Sequence, residues 1–222
     1  MIAAGRRPAM LSTMAVLAAC GVVLLAGPAF AGSWHAGARG GVNLASLRGE
    51  GPDISHPEWL AGGIGGGFVE ADLAPSLGIA VEVLYVRKGA SYPVDVLGAD
   101  PEQPIGSFDA HLVLEYLDVP LLMRIVLPGR GPVSSYLVAG PTFGFPLRAT
   151  FESKGSPDED LIERLKPLDL GATAGMGVRI ATGGARVDVE GRYATGFRDL
   201  WNLSDNLDSI NQGFSLTLAV SR

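Results

Sequence analysis

Read with a period of two, the stretch His111–Leu127 places Val113, Glu115, Leu117, Val119, Leu121, Met123 and Ile125 on one face. Leu112, Leu114, Tyr116, Asp118, Pro120, Leu122 and Arg124 fall on the other. The first face is almost wholly apolar, and the second carries a charge of each sign. A helix is excluded by Pro120, which would remove a backbone donor and clash with the preceding turn in mid-segment. The stretch therefore predicts a long strand, with Pro120 at an irregular or bulged position.

The same alternation recurs along the chain. Trp34–Leu47 sets Ala36, Ala38, Val42 and Leu44 against His35, Arg39 and Asn43. Leu60–Leu73 is rich in glycine from Gly62 to Gly67, then sets Val69, Ala71 and Leu73 against Phe68, Glu70 and Asp72. Leu77–Lys88 opposes Ile79, Val81, Val83 and Tyr85 to Ala80, Glu82, Leu84 and Lys88. After the fourth strand, Val133–Phe151 sets Leu137, Ala139, Phe143, Phe145 and Leu147 against Tyr136, Thr142 and Arg148. Leu168–Ile180 alternates Leu170, Ala172, Ala174, Met176 and Val178 with Asp169, Thr173 and Arg179. A seventh strand opposes Val187, Val189, Gly191 and Tyr193 to Arg186, Asp188, Glu190 and Arg192. The eighth, Gly213–Arg222, turns Phe214, Leu216, Leu218 and Val220 away from Ser215, Thr217 and Ser221.

Connections alternate between long and short. Arg48–Trp59, Gly89–Ala110, Glu152–Pro167 and Trp201–Gln212 are long and polar, whereas Ala74-Pro75-Ser76, Pro128–Pro132 and Ala181–Ala185 are tight by composition. Eight helices or a doubly wound sheet would not give this rhythm. An all-β, eight-stranded antiparallel up-and-down transmembrane barrel does, with short periplasmic turns and long outer loops. Strands of about ten residues cross hydrocarbon when tilted. Lipid offers no partner to an open sheet edge, so such strands must close on themselves.

The start of the chain supports export. Arg6 and Arg7 precede an apolar run from Met10 to Ala26, and Ala29-Phe30-Ala31 is a small-x-small cleavage signature, so residues 1–31 read as a cleaved signal peptide and 32–222 as the barrel domain. Leu17-Ala18-Ala19-Cys20 resembles a lipobox, but the apolar run continues through Val22–Leu25, which favours cleavage after Ala31. Cys20 is the sole cysteine, so the remaining domain holds no disulfide and no thiolate site. Loss of two arginines leaves 15 basic against 23 acidic residues, a formal charge of −8 that argues against nucleic acid as a partner.

Turned inward, the polar face collects Arg39, Glu70, Asp72, Glu82, Lys88, Asp118, Arg124, Arg148, Asp169, Arg179, Arg186, Asp188, Glu190 and Arg192, whose signs nearly balance. Side chains fill the bore of an eight-stranded barrel. Charges there persist only as a mutually neutralising, hydrogen-bonded network, so the expectation is a plugged barrel and no open channel. Trp59, Tyr85, Phe143, Phe145, Tyr193 and Phe197 fall toward the outer ends, as an interfacial belt would, with Trp34 the main periplasmic candidate.

Three segments carry a family resemblance that spans about residues 34–222: Gly40-Gly41-Val42-Asn43-Leu44-Ala45-Ser46-Leu47, Tyr116-Leu117-Asp118-Val119-Pro120-Leu121-Leu122-Met123-Arg124 and Gly191-Arg192-Tyr193-Ala194-Thr195-Gly196. The chain resembles the outer-membrane beta-barrel domain family of Gram-negative bacteria, which includes PorT-like and OmpA-like barrels. Its last strand resembles the signal read by barrel-assembly machinery, with Asn211, Gly213, Leu216 and Leu218 at the marked positions, though leucines replace aromatics and Ser221-Arg222 stands where phenylalanine is usual. The resemblance implies the outer membrane, reached by Sec-type export. It further implies outer-membrane lipid and lipopolysaccharide as surroundings, the assembly machinery as a partner during biogenesis, and an external or secretion-system protein as a possible partner. It assigns location more than activity.

Catalytic constellations are sparse. His111 with Asp109 and Ser107, and His56 with Asp53 and Ser55, can be drawn as triads, but each reads more simply as a solvated loop cluster. Asp158-Glu159-Asp160, and Asp205 with Asp208, lack the spacing and glycine of a calcium loop. No catalytic, cofactor-binding or metal-ligating residue is assigned, and no cofactor is expected. Ser156-Pro157-Asp158-Glu159 followed by Leu161, Ile162 and Leu165 predicts a short capped amphipathic helix over 156–166, in the third outer loop.

The functional expectation is a non-catalytic outer-membrane barrel serving envelope integrity or loop-mediated interaction. The alternatives are a component of a PorT-like secretion or assembly machinery, a small lipid-modifying enzyme in the same barrel, and a secreted lipocalin-like ligand carrier. The last requires the reverse polarity, with apolar faces inside.

Overall fold

Phe214, Leu216, Leu218 and Val220 are each more than half exposed, while Thr217, Ala219 and Ser221 on the opposite face are buried. One strand thus fixes the handedness of the whole sheet: hydrocarbon outward, polar groups inward. That is the polarity of a membrane barrel and the opposite of a lipocalin's.

The computed structural model describes residues 32–50, 58–97, 104–129, 131–153, 159–197, 200 and 208–222. Its eight long strands are β1 (Trp34–Glu50), β2 (Glu58–Ala74), β3 (Leu77–Leu97), β4 (Pro104–Val126), β5 (Val133–Glu152), β6 (Asp169–Thr182), β7 (Ala185–Gly196) and β8 (Asp208–Ser221). Each pairs antiparallel with the next, and β1 pairs with β8 from Gly37↔Ser221 to Glu50↔Asp208, so the barrel wall closes on itself. The segments proposed for the signal peptide and for Cys20 lie outside the described residues.

The tight connections sit together at the end that holds Trp34 and Ser221. Between β6 and β7 the turn is Gly183-Gly184, at φ of 54° and 90°. Positive φ at both central residues is the requirement of a two-residue hairpin turn whose twist matches its strands, and only glycine meets it without strain.

Several expectations need correction at the outer end. The segment Gly89–Ala110 is not a loop: β3 and β4 stay paired out to Leu97↔Pro104, forming a two-stranded ribbon that continues well past the barrel wall. Its prolines and acids suggested a loop, yet Tyr92↔Ala110 and Val94↔Phe108 keep the ladder intact. The helix expected over 156–166 is likewise replaced. Ser156, Pro157 and Asp158 lie outside the described residues, Glu159–Asp160 form a two-residue strand against Thr150 and Phe151, and only Ile162–Arg164 turn, as a 3-10 helix with no side-chain cap. The Leu161 N–H donates to the Ala149 carbonyl at 2.9 Å and the Lys166 N–H to the Leu200 carbonyl at 2.9 Å, so edge pairing wins over helical periodicity.

Pro120 holds no bulge. Pairing of β4 with β3 lapses between Asp118 and Leu121, but the register is unchanged across the gap. The extra residue lies instead on β5, where Glu115↔Arg148 is followed by Tyr116↔Pro146. Leu147 is the inserted residue, and beyond it the two faces of β5 exchange. Arg148, expected in the bore, is therefore exposed on the outer wall beside Glu115, while Ala149 is fully buried.

Candidate functional site

The bore is the one place where the sequence concentrates chemistry. Since i and i+2 share a face, Arg186, Asp188, Glu190 and Arg192 project inward as a row from β7, and they meet carboxylates and guanidiniums from the opposite wall.

From the turn end upward, the charges are arranged in layers. At the mouth, Asp72 accepts hydrogen bonds from Ser33 Oγ at 2.9 Å and Arg186 at 3.1 Å, with His35 Nε2 at 3.2 Å. Next, Glu70 is fully buried and is gripped by Arg124 and, through both its oxygens at 3.0 Å, by Arg179. Arg179 also forms a fork with Asp188 at 2.8 and 2.7 Å. In the third layer Arg192 takes Glu82 bidentately at 2.6 and 2.7 Å and also contacts Glu190. Arg39 reaches Glu190 at 3.3 Å, Glu82 at 3.5 Å and the Thr217 hydroxyl at 2.8 Å. Arginine suits these positions because its planar fork satisfies two carboxylate oxygens at once.

A fourth layer follows. Lys88 Nζ bonds Asp118 at 2.9 Å and lies 4.4 Å from the centre of the Tyr116 ring. Nearby, Asn211 Nδ2 donates to Asp169 Oδ2 at 3.0 Å. A cavity of about 60 Å³ adjoins these side chains and is bordered by Thr142, Thr173 and Arg192 below.

Above the charges the bore closes with apolar side chains, which the sequence reading did not anticipate. Leu47, Ala90, Leu112, Leu114, Tyr116 and Ala149 pack together, and Leu161, Leu165 and Leu200 come down onto them from the outer connections. Leu114 and Ala149 are completely buried. The signal was present: Leu112 and Leu114 share the inward face with Asp118 and Arg124. Burying them removes apolar surface from water at roughly 25 cal/mol per Å² and excludes water from the ionic layers beneath.

The outer wall carries the complementary pattern. Leu121, Met123, Ile125, Leu137, Met176, Val178, Ile180 and Val189 are all substantially exposed, as lipid-facing positions. At the outer margin Trp59, Phe214 and Tyr193 form a tilted aromatic row with centroids 5.6 and 4.8 Å apart. Tyr85 stands at the same margin, where its hydroxyl meets Glu115. Such a row fits the headgroup level. Trp34, exposed at the opposite end, marks the other interface.

Of the drawn triads, Ser107, Asp109 and His111 lie along the single strand β4, four strand steps or about 13 Å of backbone from first to last, and the Ser107 side chain lies outside the described residues. His56, Asp53 and Ser55 lie outside the described residues. Of the acidic clusters, Asp160 Oδ1 accepts a hydrogen bond from the Ile162 N–H at 3.0 Å, while Asp158 and Asp205 lie outside the described residues and Asp208 opens β8 opposite Glu50.

Solved structures share this architecture. Neisserial surface protein A is 14% identical, with 86% of this chain and 97% of that one covered and a TM-score of 0.52. OprG from Pseudomonas aeruginosa is 12% identical, with 87% and 98% covered and a TM-score of 0.46. Ail of Yersinia pestis is 15% identical, with 85% and 98% covered and a TM-score of 0.42. No curated protein sequence matches the chain. The family model for the outer membrane protein beta-barrel domain matches residues 27–202. Closed topology, outward hydrocarbon and that match agree: the chain is an outer-membrane protein and belongs to the outer membrane protein beta-barrel domain family.

Proposed function

We propose that this protein is a sealed, non-catalytic barrel whose work is done by what it displays above the lipid, chiefly the β3–β4 ribbon, to a partner outside the cell. The observation that carries this reading is the doubly filled bore: among the described residues, neutralised ionic layers below and a packed apolar layer above occupy its interior. The ribbon supports the second half. Its ladder runs to Leu97↔Pro104, so paired backbone projects from the wall as a surface for display.

Planar-bilayer recording on the refolded full barrel tests the sealed bore. Conductance at the bare-membrane level is expected, and reproducible single-channel steps would sink the reading. Removal of residues 92–109, with the strands rejoined by a two-residue turn, should leave a folded barrel that no longer crosslinks, on whole cells, to the external partner that the unaltered barrel captures.

A further inference from the structure

The layers of the bore differ in charge balance. Arg186 answers Asp72; Arg124 and Arg179 answer Glu70 and Asp188; Arg39 and Arg192 answer Glu82 and Glu190. In the fourth layer Lys88 stands against both Asp118 and Asp169, and one negative charge is left over. The outward turn of Arg148 is what exposes this surplus, because the expected inward set was balanced only with that residue included.

The same layer holds unpartnered oxygens. Among the described residues, the buried side-chain oxygens with no hydrogen-bond partner in the protein are Asp169 Oδ1, Asn211 Oδ1 and Ser221 Oγ, and the first two belong here. Asp169 is 7% exposed and Asn211 4%. The amide orientation of Asn211 is fixed by its neighbours. Its Nδ2 serves Asp169 Oδ2 at 3.0 Å and its side chain also engages Tyr116, whereas the flipped amide would set an oxygen against the carboxylate. Asp118 and Asp169 lie on the same side of the β5 backbone: a Cβ on Gly144 would stand 3.0 Å from Asp118 Oδ1 and 3.3 Å from Asp169 Cβ. The free oxygens adjoin the cavity of about 60 Å³, room for an ion and a water or two.

We propose that Asp169 Oδ1 and Asn211 Oδ1, with the Asp118 carboxylate nearby, hold a monovalent metal cation in the bore between the third ionic layer and the apolar layer. Hard oxygen donors select an alkali or alkaline-earth ion over a transition metal. One positive charge cancels the surplus. A divalent ion would overshoot it. A proton in this layer is the rival neutraliser, and the cation series below separates the two.

Crystals of the refolded full barrel grown in rubidium chloride give the direct test. Anomalous density within coordination distance of Asp169 Oδ1 and Asn211 Oδ1 is expected, and its absence in well-ordered density overturns the proposal. In detergent solution, the urea midpoint should be higher in sodium or potassium chloride than in N-methylglucamine chloride of equal ionic strength. D169N should lose that difference. Midpoints that are the same in every cation, or that respond only to acidification, would instead make a proton the occupant and overturn the assignment. The crystallographic arm uses the unaltered protein, so it stands even if D169N fails to fold.

Discussion

Tyr136 of β5 donates its hydroxyl to Glu190 of β7 at 2.7 Å, passing over Gly177 on the strand between them. A Cβ at Gly177 would stand 2.5 Å from that hydroxyl, so the missing side chain is what lets the ring cross. Arg124 and Arg179 lie 5.0 and 5.6 Å from the ring centre. One phenol therefore joins the second ionic layer to the third.

Removing the hydroxyl in Y136F leaves Glu190 short of a donor in a buried setting, and a loss of about 1–3 kcal/mol is expected in urea unfolding from lipid vesicles. G177A should cost about 1–3 kcal/mol by overpacking against the ring. The two should not add: in a Y136L background the alanine has room, and most of the G177A penalty should vanish.

Glu70 is the most heavily contacted carboxylate, held by Arg124 and Arg179. E70Q should destabilise the barrel by roughly 3–5 kcal/mol because it strands buried guanidinium charge. Pairing it with R124M restores balance in the layer, and the double variant should unfold at a midpoint closer to the parent than E70Q does. A double variant less stable than either single one would contradict the neutral-layer account.

The apolar layer gives a separate expectation. L114A empties space at a fully buried position and should cost about 2–5 kcal/mol. The same change at Leu216, exposed to lipid, should be far milder when both are measured under one set of conditions.

Depth on the lipid face is testable with charge. L218R places a cation near mid-band and should cost about 2–4 kcal/mol, whereas the same residue placed near the margin, in F214R, should cost about 0–1 kcal/mol from charge alone. Independently, R148C on whole cells should react with a membrane-impermeant maleimide, and E82C should not, because Arg148 is exposed on the outer wall and Glu82 is buried in the bore.

The barrel was legible wherever alternation was strict. Phe214 to Val220 and Arg186 to Arg192 read true because membrane and bore impose opposite chemistries on adjacent residues. It failed where that contrast lapses. Beyond the barrel wall the lipid that imposes it is gone, so prolines and acids near Pro93 and Pro104 suggested a loop in what is a paired ribbon. Arg148 was misplaced because one inserted residue, Leu147, reverses parity, and the proline that marks such irregularities was sought at Pro120 when Pro146 carried the signal. The helix expected at 156–166 rested on capping chemistry, whereas Leu161 is fixed by a backbone bond to Ala149, far upstream in sequence. The fourth-layer site was hidden for a related reason: Asp118, Asp169 and Asn211 come from three strands, and only closure assembles them.

The β1–β8 ladder ties Gly37 to Ser221 and Glu50 to Asp208, uniting the two most distant parts of the domain along one line. Contacts of such sequence separation form slowly, since chain entropy must be surrendered before they give anything back. A polypeptide shortened within β8 would be left with two bare margins, each a template for its counterpart on another molecule. Its fate would be set by concentration, with the cylinder traded for intermolecular ribbons whenever copies meet sooner than one copy can find its own far end.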